Sequence, residues 1–309
     1  MNPSNIKLSE ISPEKLVCNK KPEPREAKNN PGLKVQRAFL QYNFGTDKTP
    51  EYKAPYFELE ITSAIIRKKE QQGKQDFEWS LLVFLNQSDM KGGENLNKGV
   101  FNIVEKYKIP FGLGPQFTVN NITSNTCRSI AFQQMDQTTG MPLSGTDMLI
   151  MPKMDKTSSI TVIKDYNPKT KQYKLEPIDY TLLEGKKVTA SIIIHVRDIF
   201  KGTGCIYPQV FVKSAMILDV GDQEVDHTKS EYLNSYNDTT NINFELLSEK
   251  IDQIKNKRDI SLLSTNPQHG GYPSTTMSQP PIPQFPINPN GGIDLTQHLN
   301  NGPITLQRI

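Results

Sequence analysis

Residues Thr189–Val220 read TASIIIHVRDIFKGTGCIYPQVFVKSAMILDV, and the rest of the chain makes most sense as support for this stretch. Its first part, Ser191-Ile192-Ile193-Ile194-His195-Val196, is β-branched and apolar, the composition of a buried strand. Arg197–Lys201 follow, then Gly202 and Gly204, and glycine permits a tight reversal. From Val210 the chain alternates. Val210, Val212, Ser214, Met216, Leu218 and Val220 fall on one face, and Phe211, Lys213, Ala215, Ile217 and Asp219 on the other. The expected product is two strands joined by a glycine-containing loop. Around that loop Arg197, Lys201 and Lys213 interleave with Phe200, Tyr207 and Phe211. Cations beside flat rings suit a ligand whose backbone is charged and whose bases stack. The same residues also read as an ordinary core hairpin with a solvated charged rim.

Working outward, Val35–Phe44 (VQRAFLQYNF) reads as a strand that ends at Gly45. Tyr56–Thr62 alternates, with Phe57, Leu59 and Ile61 on one side. Phe77–Leu85 (FEWSLLVFL) is a third strand carrying the only tryptophan, Trp79, on the side of Leu81 and Val83. Leu96, Val100, Ile103, Val104 and Tyr107 lie at helical spacing and predict a short helix within Leu96–Tyr107. Short strands are expected at Ser129–Gln133, Met148–Met151 and Ile160–Lys164, and Pro168–Leu175 (PKTKQYKL) as a basic loop or edge hairpin.

The fold class expected from this order is mainly β. It is an oligonucleotide-binding-type barrel with inserted loops, one C-terminal amphipathic helix and disordered tails. Residues 1–33, rich in Lys, Glu, Pro and Asn, read as a flexible arm with one docked segment at Ile6–Val17. Residues 34–220 read as the nucleic-acid-binding domain and 221–243 as an acidic connector. The amphipathic helix is expected over 244–263. Phe244, Leu247, Ile251 and Ile254 stripe Phe244–Arg258, with Glu245 and Glu249 early and Lys255, Lys257 and Arg258 late, complementing the helix dipole. That stripe packs on the sheet or on a second copy of the chain, which makes it a candidate for self-association. Residues 264–309 are Pro-, Asn- and Gly-rich and read as a disordered tail. Its last part regains Leu295, Leu299, Ile304, Leu306 and Ile309, as a linear peptide for a protein partner would.

The 309 residues are 35% hydrophobic and 22% charged, enough for a core but low for a chain that is globular throughout. The net charge of +3 hides an asymmetry. Residues 1–220 carry 30 Lys and Arg against 23 Asp and Glu, whereas residues 221–309 carry 6 against 10. A basic body with an acidic rear fits an anionic partner. Cys18, Cys127 and Cys205 are odd in number and far apart, so neither a disulfide framework nor a zinc site is indicated. No leader-like apolar segment opens the chain, and no run approaches the roughly 20 residues of a membrane span. A soluble intracellular protein with no membrane partner is expected, or a virion component.

The search for chemistry is nearly empty. His227, His269 and His298 lie in the connector and tail, and His195 sits in an apolar run, so no triad can be assembled around a nucleophile. Gly92-Gly93 and Gly112-Leu113-Gly114 lack phosphate-loop spacing, and Asp147, Asp155, Asp165 and Asp179 follow no metal-loop pattern. No catalytic residue, metal or cofactor is expected, and the chain reads as a non-enzyme. What remains is recognition by rings and cations: Tyr42, Phe44, Lys68, Lys69, Arg197, Phe200, Lys201, Tyr207 and Lys213 are the candidate nucleic-acid-binding residues.

The order FLQYNF, YFELEIT, FEWSLLVFL and the late run SIIIHVRDIFKGTGCIYPQVFVKSAMILDV resembles the single-stranded-DNA-binding proteins of large nucleocytoplasmic DNA viruses, over about residues 34–220. The resemblance implies an oligonucleotide-binding fold and sequence-independent binding of single-stranded DNA in viral replication or recombination, in host cytoplasm or a viral factory. One departure is the tail: many replicative single-strand binders end in acidic residues, whereas this one ends Leu306-Gln307-Arg308-Ile309. The alternative is a virion structural protein, a minor capsid or scaffold component with a β-sandwich body and extended arms.

Overall fold

Alternating apolar positions set long strands here, and most of the chain's order follows from how those strands pair. In chain order they are β1 (Ile6–Lys7), β2 (Leu16–Cys18), β3 (Glu23–Ala27), β4 (Asn30–Asn43), β5 (Tyr52–Lys53), β6 (Tyr56–Glu70) and β7 (Phe77–Phe84). After helix α1 (Gln87–Lys106) come β8 (Ala131–Phe132), β9 (Leu149–Ile150), β10 (Lys153–Met154), β11 (Ser159–Asn167) and β12 (Gln172–Pro177). The long strands β13 (Lys186–Lys201) and β14 (Ile206–Glu224) and the helix α2 (Phe244–Ser264) complete the order. The structure is a computed structural model and describes residues 5–27, 30–70, 77–133, 148–167, 172–202, 204–224 and 244–264. The acidic connector beyond Glu224 and the tail beyond Ser264, with its expected partner peptide, lie outside the described residues.

The fold is mainly β, one large sheet that curls on itself. β6 pairs with β7, β7 with β10, β10 with β14, β14 with β13, and β13 with β6 again. Five strands thus make a partial ring, joined on one side only through the two-residue β10. In chain order the ring runs first, second, third, fifth, fourth; its parallel contact is β10 with β14. One row of paired residues circles it: Tyr56, His195, Phe211, Lys153, Ser80 and Arg67. The row leaves β6 at Tyr56 and returns to it at Arg67, eleven residues on. Such stagger is what tilting strands into a closing sheet requires. β11 and β12 extend the sheet beyond β14, and β4 extends it beyond β13.

Four register breaks interrupt the β13–β14 pair, one between Lys186 and Val188 and three that are single-residue bulges. Ile193 faces Ser214 and Ile194 faces Val212, leaving Lys213 as an extra residue; Leu218 is left over in the same way between Ile217 and Asp219. Arg197 is the extra residue on β13, between the Val196–Val210 and Asp198–Gln209 pairs. Each bulge reverses the alternation. The single face expected from Val210 to Val220 is therefore corrected. Val210 and Val212 point inward, then Ala215 and Ile217, then Leu218 and Val220, while Ser214 and Met216 are only half-buried.

The core lies inside the ring, built from residues such as Phe57, Leu59, Leu81, Val83, Ile192, Ile194 and Val212, and closed by Leu96, Val100 and Val104 of α1. β7 is covered on both faces, because Leu82 and Phe84 pack with Ile65 and Leu149 in a second, smaller cluster. A strand buried on both sides reads as a continuous apolar run, which Leu81–Leu85 (LLVFL) is.

Helix α1 begins nine residues before the start that apolar spacing predicts. The Asn86 side chain caps it by accepting the Asp89 N–H at 2.8 Å. Gly92 lies against the N-terminal segment, where a Cβ would come within 2.1 Å of the Leu8 carbonyl oxygen. Glycine weakens helix propensity, so this first part of α1 looks poor in sequence. It is helical because the close approach needs that glycine.

The expected flexible arm is also corrected over the described residues. The segment at Ile6–Val17 docks as expected, with Leu8, Ile11 and Leu16 buried in the main core; the departure is β3, which pairs along β4. At the other end, Leu247 and Ile251 of α2 enter the same core. Lys250 Nζ donates to the Val220 carbonyl at 2.9 Å, and Lys255 reaches Glu176 at 3.1 Å. The body is therefore larger than 34–220, and Leu247, Ile251 and Ile254 of the expected apolar stripe are turned onto the chain's own core. Among the described residues, no helix is long and apolar enough to cross a membrane.

Candidate nucleic-acid interface

At the open end of the β13–β14 hairpin, Phe200 pairs with Tyr207 on one side and with Arg37 of β4 on the other. Asp198 likewise pairs with Gln209 and with Phe39. Directly paired residues share a face. Arg37, Phe39, Asp198, Phe200 and Tyr207 therefore lie on the outer face, while Ala38, Leu40, Ile199 and Ile206 fill the core. On this outer face guanidinium groups lie over rings again and again. Arg25 and Arg37 sit 5.6 and 5.8 Å from the centre of Phe39, and Arg37 sits 5.7 Å from Phe200. Arg128 is 5.0 Å from Tyr207, and Arg197 is 4.1 Å from Phe211. Such pairs present a cation and a flat surface side by side.

Beneath them is one buried carboxylate. Asp198 has no exposed surface; its Oδ2 accepts from Arg197 Nε at 2.8 Å, and its Oδ1 lies 3.5 Å from Arg37 Nε. His195, next along β13, packs against Tyr56 with ring centres 4.7 Å apart. Burial, with Arg197 and Lys213 nearby, pushes its pKa down to about 4, so its ring is neutral at neutral pH. The cationic character of the face thus comes from arginine and lysine alone.

On the β14 side, residues 123–128 are clamped to the hairpin: Arg128 N–H donates to the Ile206 carbonyl and Ile206 N–H to the Thr126 carbonyl, both at 2.9 Å. Between this segment and the start of β14 lies a groove of about 580 Å³, with Arg128, Phe132, Met151, Lys153 and Tyr207 among its walls. Lys153 is held by Glu78 at 2.8 Å.

Of the residues expected to bind, Arg197, Phe200, Tyr207 and Lys213 come together on the outer face of the hairpin, Lys213 exposed at its bulge. Lys201 turns the other way, and its Nζ donates to the Phe111 carbonyl. It ties the hairpin end to the segment after α1. Tyr42 is a core residue, 2% exposed, with its hydroxyl accepting the Ser12 N–H at 3.1 Å and its ring edge-on to Phe57. Phe44 packs edge-on against Tyr42 at 5.4 Å and is partly buried. Neither Tyr42 nor Phe44 joins the outer face, because the alternation of β4 sends Tyr42 inward with Leu40; Phe39 of the same FLQYNF stretch does join it. Lys68 and Lys69 are exposed on β6 just beyond Arg67, opposite Trp79 and Glu78. They stand three pairings around the ring from Phe211, apart from the hairpin end. Arg25, Arg37, Phe39 and Arg128 were not expected at the site. Arg37 and Phe39 were legible as the polar-side positions of an alternating strand; Arg128 carries no local signal, since only the Ile206 clamp brings it to Tyr207.

Among the described residues no three His, Cys, Asp or Glu side chains converge as a metal site. No family model matches the chain, and no curated protein matches it in sequence.

Proposed function

We propose that the protein binds single-stranded DNA without sequence preference, in viral replication or recombination, on the outer face around the β13–β14 hairpin. The observation that carries this reading is the repeated stacking of Arg25, Arg37, Arg128 and Arg197 on Phe39, Phe200, Tyr207 and Phe211 at one end of the sheet. Phosphates take the cations and bases take the rings, and neither contact depends on base identity. The path of the partial ring supports an oligonucleotide-binding-type barrel, a five-stranded, partly open Greek-key arrangement. In such barrels the loop between the fourth and fifth strands and the one between the first and second flank the ligand. Here the described residues that lead into them are the end of the β13–β14 hairpin and the end of β6, where Lys68 and Lys69 stand. Lys69, which shares the face of Arg67, Ser80 and Lys153, then belongs to one track with the hairpin end, while Lys68 pairs with Trp79 on the other face.

The test is fluorescence anisotropy with labelled oligothymidine and a duplex of equal length at two salt concentrations. Preference for the single strand, weakening with salt and loss of affinity in an Arg37→Ala/Arg197→Ala variant are expected. Equal binding of duplex and single strand would reduce the face to nonspecific charge, and no binding at low salt would end the reading.

A further inference from the structure

We infer that the groove between residues 123–130 and the start of β14 is a subsite for one unstacked base of the bound single strand. The inference rests on the proposed strand binding and adds where one base goes. The groove's size, about 580 Å³, lies within the roughly 300–1,000 Å³ of small-ligand sites. Its lining carries two cations, Arg128 and Lys153, and no carboxylate among the described residues. The apolar walls are Phe132, Met151 and Val210, and Met151 is 45% exposed. A flat, uncharged ring attached to an anionic backbone matches this set better than an acidic peptide, whose side chains have no ring for Tyr207 to meet.

Construction of the site favours the same occupant. Tyr207 lies at the boundary between the arginine-lined face and the groove, paired with Phe200 on one side and facing Arg128 on the other. A strand crossing Phe39 and Phe200 reaches Tyr207 next, and there the surface drops into the groove. The two hydrogen bonds from Ile206 to Thr126 and Arg128 hold both walls in register, so the recess exists without a ligand to shape it. A base turned into it stacks on the Tyr207–Arg128 pair while its phosphates stay on the outer arginines.

The experiment uses the shortest oligothymidine that binds the full chain at full affinity, so that the strand cannot slide. One abasic residue replaces each position in turn. One position should lose about 5- to 150-fold in affinity, the stacking range for a single base, with the others losing less. Ser129→Trp, an exposed wall position, should fill the groove and make that position no more sensitive than its neighbours; circular dichroism and a thermal melt check that this variant folds. Losses spread evenly over all positions, or an unchanged profile in folded Ser129→Trp, would overturn the base subsite while leaving strand binding intact. Failure of the intact oligothymidine to bind would instead overturn the proposed function itself.

Discussion

Arg197 and Asp198 are neighbours in the chain, yet Arg197 Nε donates to Asp198 Oδ2 at 2.8 Å on one face of the sheet. In a regular strand successive side chains point to opposite faces. The bulge at Arg197 removes that constraint and aims both groups outward, where the guanidinium reaches over Phe211 while its Nε is held by the carboxylate. Arg37 approaches the same carboxylate from β4. A single anion thereby orients two of the arginines that stack on rings.

Asp198→Asn keeps the shape and removes the charge. It should destabilise the fold by about 1–3 kcal/mol, less than a fully buried ion pair would lose, because both arginines are about a third exposed. Urea denaturation measures this, with an unchanged m-value marking a pure stability effect. A loss below about 0.5 kcal/mol, the noise of ordinary surface changes, would show that the carboxylate does not organise the arginines.

Phe39 is 38% exposed and Phe200 half-buried, so replacing either should affect binding more than folding. Phe39→Ala and Phe200→Ala are each expected to weaken oligothymidine binding by about 1–3 kcal/mol. Arg25→Gln/Arg37→Gln/Arg197→Gln should also flatten the dependence of log K on log salt by roughly two units, near 0.7 for each phosphate no longer neutralised. A mutant with reduced affinity but an unchanged salt slope would argue against phosphate binding by these arginines.

Gly92→Ala would gain about 1 kcal/mol of helix propensity in an isolated helix. Here the added methyl meets the Leu8 carbonyl at 2.1 Å, a backbone obstacle that cannot swing away. Net destabilisation is expected, together with faster proteolysis within residues 5–18. Stabilisation would mean that the N-terminal segment is not seated on α1 in solution.

Asp89 is wholly buried at the start of α1, and its Oδ2 accepts the Glu60 N–H at 2.9 Å. Burial pushes its pKa from the usual 3.8 up to about 6, outweighing the backbone hydrogen bonds from Glu60 and Ser9. A carboxyl raised on folding binds its proton more tightly in the native state. Its stabilising share is full below about pH 4 and is lost as pH rises through about 6. Relative to Asp89→Asn, the wild-type protein should lose about 2–3 kcal/mol between pH 4 and pH 7, read by urea denaturation at each pH. A constant difference would place the carboxyl at its ordinary pKa.

His195 should leave no mark on binding. With its pKa near 4, oligothymidine affinity should show no step between pH 5.5 and 7.5. An inflection near pH 6.5, abolished by His195→Gln, would mean that the ring is more open to water than its packing on Tyr56 implies.

Local pattern by itself determined that this is a mainly β chain, that the runs around Val35, Tyr56, Phe77 and Ser191 are strands, and that Phe244 begins a helix. Alternation and β-branching report which residues leave water, and that is a property of a few neighbouring positions. Local pattern also picked out the glycine-containing hairpin and four of its outward groups, because cations and rings there interrupt an apolar run. Only the tertiary structure decided the rest. A bulge adds one residue to one strand, and nothing in composition says which one, so the flips at Arg197, Lys213 and Leu218 were invisible. Tyr42 looked like a surface ring until pairing with Leu16 and packing with Ser12 and Phe57 took it inside. Arg37 and Arg128 reach the hairpin from about 160 and 80 residues away along the chain, through strand pairing and the Ile206 clamp. Pairings between segments so distant are set by the closure of the sheet as a whole, and a sequence read one window at a time carries no record of them.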